Sequence, residues 1–437
     1  MALFNQLLRP DGIGGQNASN GFRSSQYNQL DPSLSSADAK VTAKALEREI
    51  YQSATSKDDY LSQCDAAIRT PQVANVHNSE QQPLSDGTPD HLPQSDVRIG
   101  KYTNAIHHRS GLFSTIYKAL APSSTVPSHP PIVALKVTNP SSTTPPHDSE
   151  KEVRLLQSSA HENIIPLLES FPQAGGLLVL AFPFVPYDLD SLLHPPNSSL
   201  APVLTQTQQK CVIRDLFSGL AHIHSLGIIH RDVKPSNILL CSLNGPAYIA
   251  DFGIAWCASD TECVDEEAPE QKITDVGTTC YRPPELLFGC KWYGTALDTW
   301  AAGCVVAEVA MKGGRELNSL TDLQVRREYD EDIVKHWREK GTLFDSGELG
   351  SDLALVLSIF RSLGTPNLEV WPEAKTFPDW GKMEFYEFET KSWEMLLLGV
   401  EKGARDLVAS LVRFESGERA RAEEVLKSLW LQDAWKD

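Results

Sequence analysis

Two carboxylates and one amide stand at short, fixed spacings between His230 and Gly253. Asp232 and Asn237 belong to the run His230-Arg231-Asp232-Val233-Lys234-Pro235-Ser236-Asn237, and Asp251 begins Asp251-Phe252-Gly253. Asp232 can accept or orient the proton of an attacking hydroxyl. Asn237 and Asp251 offer the hard oxygen ligands that Mg²⁺ takes when it also bridges nucleotide phosphates, and Lys234 can reach a transferred phosphoryl group as a point charge. These residues predict phosphoryl transfer, with ATP and Mg²⁺ as cofactors.

A lysine and a glutamate ahead of this segment complete the set. Lys136 ends the run Val133-Ala134-Leu135-Lys136, and Glu152 lies in Glu150-Lys151-Glu152-Val153. Such a lysine can bind the α- and β-phosphates while a helix-borne glutamate holds it by an ion pair. The order of the motifs along the chain predicts a Lys136–Glu152 pair.

Two regions of different periodicity must position these residues. Strand-like runs such as 132–136 and 177–182 follow Gly100, whereas Val212, Leu216, Leu220 and Ile223 recur at helical spacing after Asp188. The pattern predicts a β-rich lobe followed by a helical lobe, with a nucleotide in the cleft between them. Asp298 is expected to brace the catalytic loop, and Glu285 to form a buried pair with Arg419.

Composition excludes several classes of protein. The 437 residues carry a formal charge of −18 and are 41% hydrophobic, so a substantial core is expected and direct nucleic-acid binding is not. The eight cysteines include no Cys-x-x-Cys pair, which is typical of reduced thiols. No apolar run approaches the length of a membrane span, and no secretory leader is recognised. We expect a protein of the nucleus and cytoplasm.

Three stretches lie outside the predicted core. Residues 1–96 are rich in Ser, Gln, Asn and Asp and are expected to be largely disordered, with a short amphipathic helix within 36–69. The segment Ser259–Gln271 carries six acidic residues. The charged stretch 315–341 is predicted to be a solvated surface excursion.

With these motifs in place, the chain resembles the eukaryotic protein kinases, and within them the cyclin-dependent kinase group. Tyr281-Arg282-Pro283-Pro284-Glu285 and Ile359-Phe360-Arg361-Ser362-Leu363-Gly364-Thr365-Pro366 carry that resemblance. It implies an α+β, two-lobed fold in which residues 97–184 form a five-stranded antiparallel lobe with one helix and residues 185–434 form the helical lobe. Two features, Lys234 and the run Gly277-Thr278-Thr279, resemble the residues of Ser/Thr kinases at these positions rather than those of Tyr kinases. The resemblance therefore implies a Ser or Thr acceptor.

The resemblance also implies an ATP pocket with a hinge at Pro183-Phe184-Val185 and Phe182 behind the adenine. The nucleotide contacts that it implies are Lys136, Glu152, His108, Gly111, Ile116, Ala134, Phe182, Phe184 and Val185. The phosphate loop, Arg109-Ser110-Gly111-Leu112-Phe113-Ser114, keeps one of the family's three glycines. Because glycine lets backbone amides approach phosphates, altered ATP affinity is expected.

The helix that carries Glu152 departs from the family's cyclin-binding signature, because Glu150 stands where relatives bury an isoleucine. An unpaired acid there would cost several kcal/mol in a cyclin interface, so cyclin binding is not expected.

The activation loop departs as well. Ile273 occupies the position of the family's phosphothreonine, Thr274 is offset by one, and Trp256 replaces the third basic residue around the phosphate. We hypothesise that the acidic segment takes the place of the activating phosphate by pairing with Arg231 and Lys151.

Three functions remain open on the sequence. The departures resemble the fungal single-subunit kinases that activate other cyclin-dependent kinases, which implies a protein substrate that is itself a kinase. A cyclin-requiring, proline-directed kinase and a pseudokinase scaffold are the alternatives.

Overall fold

The change of periodicity near residue 188 divides the computed structural model into a sheet region and a helical region. The structure describes residues 94–122, 132–195, 204–313 and 331–432. Of these, residues 94–107 and 116–432 belong to one unit, and residues 108–115 belong to another and are described by themselves. The helix predicted within 36–69, and the extension up to residue 93, lie outside the described residues.

The first region is a five-stranded sheet with one α-helix. Its strands are β1 (Thr103–Ser110), β2 (Ser114–Leu120), β3 (Ile132–Thr138), β4 (Glu169–Gln173) and β5 (Leu177–Pro183), and its helix is α1 (Ser149–Ser158). The order is β1-β2-β3-β5-β4, with β5 antiparallel to both β3 and β4. Alternate residues of β3, Val133 and Leu135, are almost fully buried, as the period of two requires. The predicted five-stranded lobe with one helix is confirmed.

Short strands and helices follow. They are β6 (Tyr187–Asp188), α2 (Leu189–Leu193), α3 (Gln206–Ser225), β7 (Ile228–Ile229), β8 (Ile238–Leu240), β9 (Ala247–Ile249), β10 (Trp256–Cys257), α4 (Thr261–Glu266), α5 (Pro284–Leu287), α6 (Ala296–Gly313), α7 (Glu331–Glu339), α8 (Asp352–Leu363), α9 (Trp393–Leu396), α10 (Lys402–Leu411), α11 (Ala422–Val425) and α12 (Leu429–Gln432). Strands β6, β8 and β9 form one small sheet, and β7 pairs with β10.

Helix α3 shows how the helical periodicity builds the core. Val212, Leu216, Leu220 and Ile223 are each at most 1% exposed, and a Thr205–Gln208 capping box closes the N-terminus of the helix. This face packs in one large apolar cluster with α6. No helix of the described residues has the length and apolar character that crossing a bilayer requires.

The prediction that 315–341 is a solvated excursion is wrong for its second half. Helix α7 buries Ile333, Val334 and Trp337, and the indole of Trp337 donates to the carbonyl of Leu396 at 2.8 Å. These apolar residues repeat at i, i+1 and i+4, which places them on one helical face. The surrounding charges hid that face in the sequence. Residues 314–330 lie outside the described residues.

The predicted Glu285–Arg419 pair is confirmed. Arg419 donates from Nη1 and Nη2 to the two carboxylate oxygens of Glu285 at 2.6 and 2.7 Å, and both side chains are at most 3% exposed. The carbonyls of Phe414 and Ala296 accept further bonds from the same guanidinium. Because removal of one member would leave a buried charge uncompensated, the pair joins α5 firmly to the segment that follows α10.

Candidate active site

The catalytic loop is held from below by one carboxylate of helix α6. Asp298 is fully buried and accepts from the backbone amides of His230 and Arg231 at 2.8 and 2.9 Å, and its Oδ2 lies 2.9 Å from Nε2 of His224. Arg231 has a φ of 69°, in the left-handed region that non-glycine residues avoid. The predicted brace is therefore present, and it fixes a backbone conformation that the chain would not adopt unaided.

Asp232 faces the start of the loop that precedes helix α5. Its Oδ1 accepts from the hydroxyl of Thr278 at 2.7 Å, and its Oδ2 lies 2.8 Å from Nζ of Lys234. Lys234 also donates to the Thr278 hydroxyl at 2.7 Å. Gly277, just before this threonine, has a φ of 81°, and a Cβ there would lie 3.1 Å from the carbonyl of Arg231. Glycine thus permits the close approach that brings Thr278 to the carboxylate.

Lys136 lies between two carboxylates. Its Nζ is 2.7 Å from both oxygens of Glu152 and 2.8 Å from Oδ1 of Asp251. The charge of Lys136, with its hydrogen bond, holds the pKa of Asp251 well below its usual range. Burial alone would lower the pKa of Lys136, but the two carboxylates outweigh it and raise that pKa. The predicted Lys136–Glu152 pair is formed, and the ammonium stays charged to meet phosphates.

The phenyl ring behind Asp251 is fixed in the core. Phe252 is fully buried and meets the ring of His230 edge-on, with centroids 4.9 Å apart. His230 Nε2 in turn lies 3.0 Å from the carbonyl of Ala250. Asp251 itself is half exposed and has a φ of 66°. The packing of Phe252 therefore turns the carboxylate of Asp251 toward Lys136.

The donor set fits a magnesium ion. Asn237 uses its amide nitrogen to donate to the carbonyl and to Oδ2 of Asp232, at 2.9 and 3.1 Å, so its Oδ1 is left as a ligand. Asp251 receives Lys136 on Oδ1, which leaves Oδ2. An amide oxygen and a carboxylate oxygen are hard ligands of the kind that Mg²⁺ takes beside its own waters. The metal roles of Asn237 and Asp251 stay predictions.

The predicted adenine contacts lie on the sheet and at its exit. Ala134 on β3 is the register partner of Phe182 on β5, and Phe182 is 9% exposed. Phe184, just beyond β5, donates its amide to the carbonyl of Ile132 at 3.2 Å. Ile116, Ala134, Phe184 and Val185 are half-buried. The sheet thus brings one set of predicted nucleotide contacts together.

His108 and Gly111 belong to the separate unit of residues 108–115, and both are exposed. Within it the amide of Gly111 donates to the carbonyl of Ser114 at 2.8 Å. A Cβ on Gly111 would meet that carbonyl at 3.6 Å, an ordinary contact, and the φ of Gly111 is not in the left-handed region. The fold itself does not require glycine here.

Replacing Gly111 with Ala is therefore expected to leave the melting temperature unchanged and to raise KM for ATP about fivefold, the equivalent of one backbone hydrogen bond to a phosphate of about 1 kcal/mol. Initial rates at varied ATP measure it. The matched control is Gly417→Ala, because a Cβ added to Gly417 meets no atom within 4 Å and its φ is not in the left-handed region. An unchanged KM would contradict the predicted phosphate contact.

The acidic segment Ser259–Gln271 reaches the catalytic loop through Glu267. Its two oxygens accept from Nη1 and Nη2 of Arg231 at 2.7 and 3.0 Å, and Arg231 is 1% exposed. The Ile273 amide donates to the same carboxylate at 2.9 Å. Burial would raise the pKa of Glu267, but the hydrogen bonds and charge of Arg231 hold that pKa below its usual range. The hypothesised pairing with Arg231 is confirmed.

Among the described carboxylates of the segment, the hypothesised pairing with Lys151 is not a direct ion pair. The charge of Lys151 nevertheless adds to that of Arg231 in lowering the pKa of Glu267. Lys151 is buried on α1 and its Nζ donates to the carbonyl of Pro146 at 3.2 Å. The side chain of Asp265 lies outside the described residues, and Glu266 is exposed. Among the described acids of the segment, therefore, one carboxylate, that of Glu267, pairs with Arg231.

Sequence reasoning missed a cation beside this pair. Lys272 is 3% exposed, and its Nζ lies 4.6 Å from the ring centroid of Trp256 and 5.1 Å from that of Tyr293. Trp256 donates its indole N–H to the carbonyl of Glu267 at 2.9 Å, and the hydroxyl of Tyr293 meets both Arg231 and the Ile273 carbonyl. The tryptophan that replaces a basic residue thus receives a lysine on its face. The only sequence signal for this role was that Lys272 stands next to Ile273. Spacing alone did not distinguish it from a solvent-exposed lysine.

Comparison with known proteins gives a consistent result. A family model described as the protein kinase domain matches residues 110–431. The chain is 33% identical over 288 residues to serine/threonine-protein kinase csk1 of Schizosaccharomyces pombe, which covers 65% of this chain and 80% of that protein. It is 31% identical over 284 residues to cyclin-dependent kinase 7 of Xenopus laevis, covering 65% and 67%. It is 30% identical over 282 residues to cyclin-dependent kinase 20 of Homo sapiens, covering 64% and 69%.

Proposed function

Because the chain belongs to the protein kinase family, as a Ser/Thr kinase of the cyclin-dependent kinase group, we propose that it phosphorylates the activation-loop threonine of other cyclin-dependent kinases. It would thereby act in cell-cycle or transcription control, in the nucleus and cytoplasm. One observation carries this proposal. The single chain already forms the Lys136–Glu152 pair at 2.7 Å, and Glu267 pairs with Arg231, the arginine that would otherwise bind a phosphate.

The chemistry follows from the side chains. Asp232 orients the acceptor hydroxyl and takes its proton, and Lys234 and Lys136 hold negative charge on the transferred and remaining phosphates. Protein kinases use Mg²⁺ to neutralise charge on the phosphates of ATP, and Asn237 with Asp251 would hold it here. Thr278 bonds both Asp232 and Lys234, so it fixes the position of the base before an acceptor arrives.

Independence from loop phosphorylation is the second part of the proposal. The carboxylate of Glu267 bonds both the catalytic-loop arginine and the amide of Ile273, the residue at the family's phosphoacceptor position. It therefore joins the same two parts of the chain that a phosphothreonine would join. The neighbouring Thr274 is half-buried, and its carbonyl accepts from Arg282 at 2.9 Å.

Independence from a cyclin is the third part. At the start of α1, Asp148 accepts from the amides of Glu150 and Lys151, and its own amide donates to the carbonyl of Gly253 at 2.9 Å. The helix is thus capped and attached to the Asp251-Phe252-Gly253 segment within the chain. Glu150 is exposed, and burying it against a cyclin without a partner would cost several kcal/mol.

The test is an assay of the purified chain with Mg-ATP on a catalytically inactive, unphosphorylated cyclin-dependent kinase. We expect phosphate on its activation-loop threonine without an added cyclin, and none when that threonine is Ala. Mass spectrometry should find the active enzyme unphosphorylated in residues 259–285. A preference for a Ser-Pro peptide together with dormancy until a cyclin is added would identify a proline-directed kinase instead. Activity only after treatment by another kinase would contradict the role of Glu267.

A further inference from the structure

Helix α1 is tied to the acidic segment by a side chain outside the catalytic set. Arg154 donates from Nε to Oδ2 of Asp260 at 3.0 Å, and its Nη1 lies 2.7 Å from Oε2 of Glu262. Burial opposes the charge of Arg154, but the hydrogen bond and charge of Asp260, with Glu262, raise its pKa. One guanidinium therefore bridges two carboxylates.

The position of Arg154 on α1 gives this bridge a consequence. Glu152 and Arg154 are two residues apart, so they point about 200° apart around the helix. Glu152 faces Lys136 inside the sheet region, where it is 2% exposed, and Arg154 faces the activation segment with 32% of its side chain exposed. Rotation or withdrawal of α1 that separates Glu152 from Lys136 would also pull Arg154 from its acids.

The far end of the bridge is anchored next to the catalytic loop. Strand β10 pairs with β7, with Trp256 opposite Ile229, and the amide of Ala258 donates to the carbonyl of Gly227 at 3.1 Å. Asp260 follows two residues later and is 13% exposed on its side chain. The segment that carries Asp260 and Glu262 is therefore fixed at both ends. Before Asp260, strand β10 pairs with β7, and after Glu262, Glu267 pairs with Arg231.

We propose that Arg154 is a positioning residue for the phosphoryl-transfer site. By binding Asp260 and Glu262 it holds α1 where Glu152 pairs with Lys136, so that the chain needs no second subunit on that helix. This inference deepens the proposed function, since it rests on the proposed independence from a cyclin. Together with the Glu267–Arg231 pair, it gives the acidic segment two separate tasks, one on α1 and one on the catalytic loop.

The two arms of the bridge differ in strength. Glu262 is 68% exposed, so solvent and salt screen its attraction to Arg154, whereas Asp260 is largely withdrawn from water. Partly exposed ion pairs of this kind have modest free energies. We therefore expect a loss of about threefold to tenfold in activity, not abolition, and a larger contribution from Asp260 than from Glu262.

The test compares Arg154→Gln with the intact full-length chain by a readout that needs no protein substrate. Affinity for Mg-ATP and ATP turnover without an acceptor are measured, together with hydrogen exchange of the α1 amides. We expect weaker binding, turnover lower by about threefold to tenfold, and faster exchange in residues 149–158. Arg154→Lys should recover part of the loss. Arg421→Gln is the matched control, because Arg421 also bridges two acids, Glu423 and Glu424, but at an exposed site just before helix α11.

A charge reversal separates positioning from general damage. Arg154→Glu should fall below Arg154→Gln, and adding Asp260→Arg should restore turnover above that of Arg154→Glu alone. If Arg154→Gln does not fold, Asp260→Asn removes the negative charge of the same pair from the other side. Turnover and α1 exchange equal to those of Arg421→Gln would overturn the proposal. These measurements use no protein acceptor, so they can still be interpreted if the chain does not phosphorylate another cyclin-dependent kinase. If instead they show no effect of Arg154, the proposed substrate is neither supported nor contradicted.

Discussion

Asp232→Asn is expected to lower kcat by about 10²–10⁴-fold, the usual contribution of a positioned general base. The amide has the shape of the carboxylate and can still accept from Thr278, but it cannot take a proton, and it loses the charge that faces Lys234. The Lys136, Glu152 and Asp251 cluster is untouched, so ATP affinity should change little. Transfer to a protein acceptor and ATP binding by calorimetry measure the two effects.

The matched control for Asp232→Asn is Asp406→Asn. Asp406 also loses an ion pair, with Lys402 at 2.6 Å, but it is 63% exposed on helix α10. Exposed pairs of this kind contribute little, so its activity should equal that of the wild type. If Asp232→Asn retained transfer within tenfold of wild type while Asp406→Asn behaved as expected, the role of Asp232 as the base would be wrong.

Glu267→Gln is expected to lower activity by at least about tenfold and the melting temperature by several degrees. The change leaves Arg231, which is 1% exposed, without its carboxylate, and removal of one partner of a buried pair costs about 3–5 kcal/mol. If about 1.4 kcal/mol of this falls on the active arrangement of the loop, the active fraction drops tenfold. Peptide phosphorylation and thermal unfolding measure the two effects.

The neighbouring residue supplies the control for Glu267→Gln, since Glu266 is exposed and Glu266→Gln removes the same charge from the same segment. Its activity should be unchanged. Arg231 holds the folded-state pKa of Glu267 below that of the unfolded chain, although burial opposes this. The pair therefore stabilises the fold above the ordinary glutamate pKa and is lost as the pH falls through the lower folded value. Equal activity of the two variants would contradict phosphate replacement by Glu267.

Local pattern was sufficient for the parts of the site that lie close together in the chain. Asp232, Lys234 and Asn237 fall within one loop, so their spacing restricts their geometry, and the structure brings them within hydrogen-bond reach of one another or of Thr278. The strands were equally readable because alternation in β3 reports a half-buried sheet directly. Helix α7 was misread because its three buried apolar residues stand among many charged ones, so the sequence shows only a weak apolar pattern. Whether they are buried depends on what packs against the helix, which local sequence does not show.

Pairings between distant residues required the fold. The sequence placed six acids in the activation loop as possible partners of the catalytic-loop arginine, Arg231. It could not select Glu267, because that choice depends on the path of the chain between Trp256 and Ile273. Lys151 was assigned to the same cluster, but its ammonium donates to the carbonyl of Pro146 and acts on Glu267 through its charge alone. The cation on Trp256, Lys272, depends on the same loop path.

The sequence by itself determined the chemistry of this protein, because phosphoryl transfer needs particular side chains at short spacings within two loops. Its resemblance to known kinases added the Ser/Thr class and the cyclin-dependent kinase group. Only the tertiary structure decided how the active arrangement is held. Arg154 meets Asp260 across 106 residues, and Arg231 meets Glu267 across 36. A carboxylate and a guanidinium attract at any spacing in the chain, so sequence leaves many partners open, and packing selects the pair that is close and shielded from water.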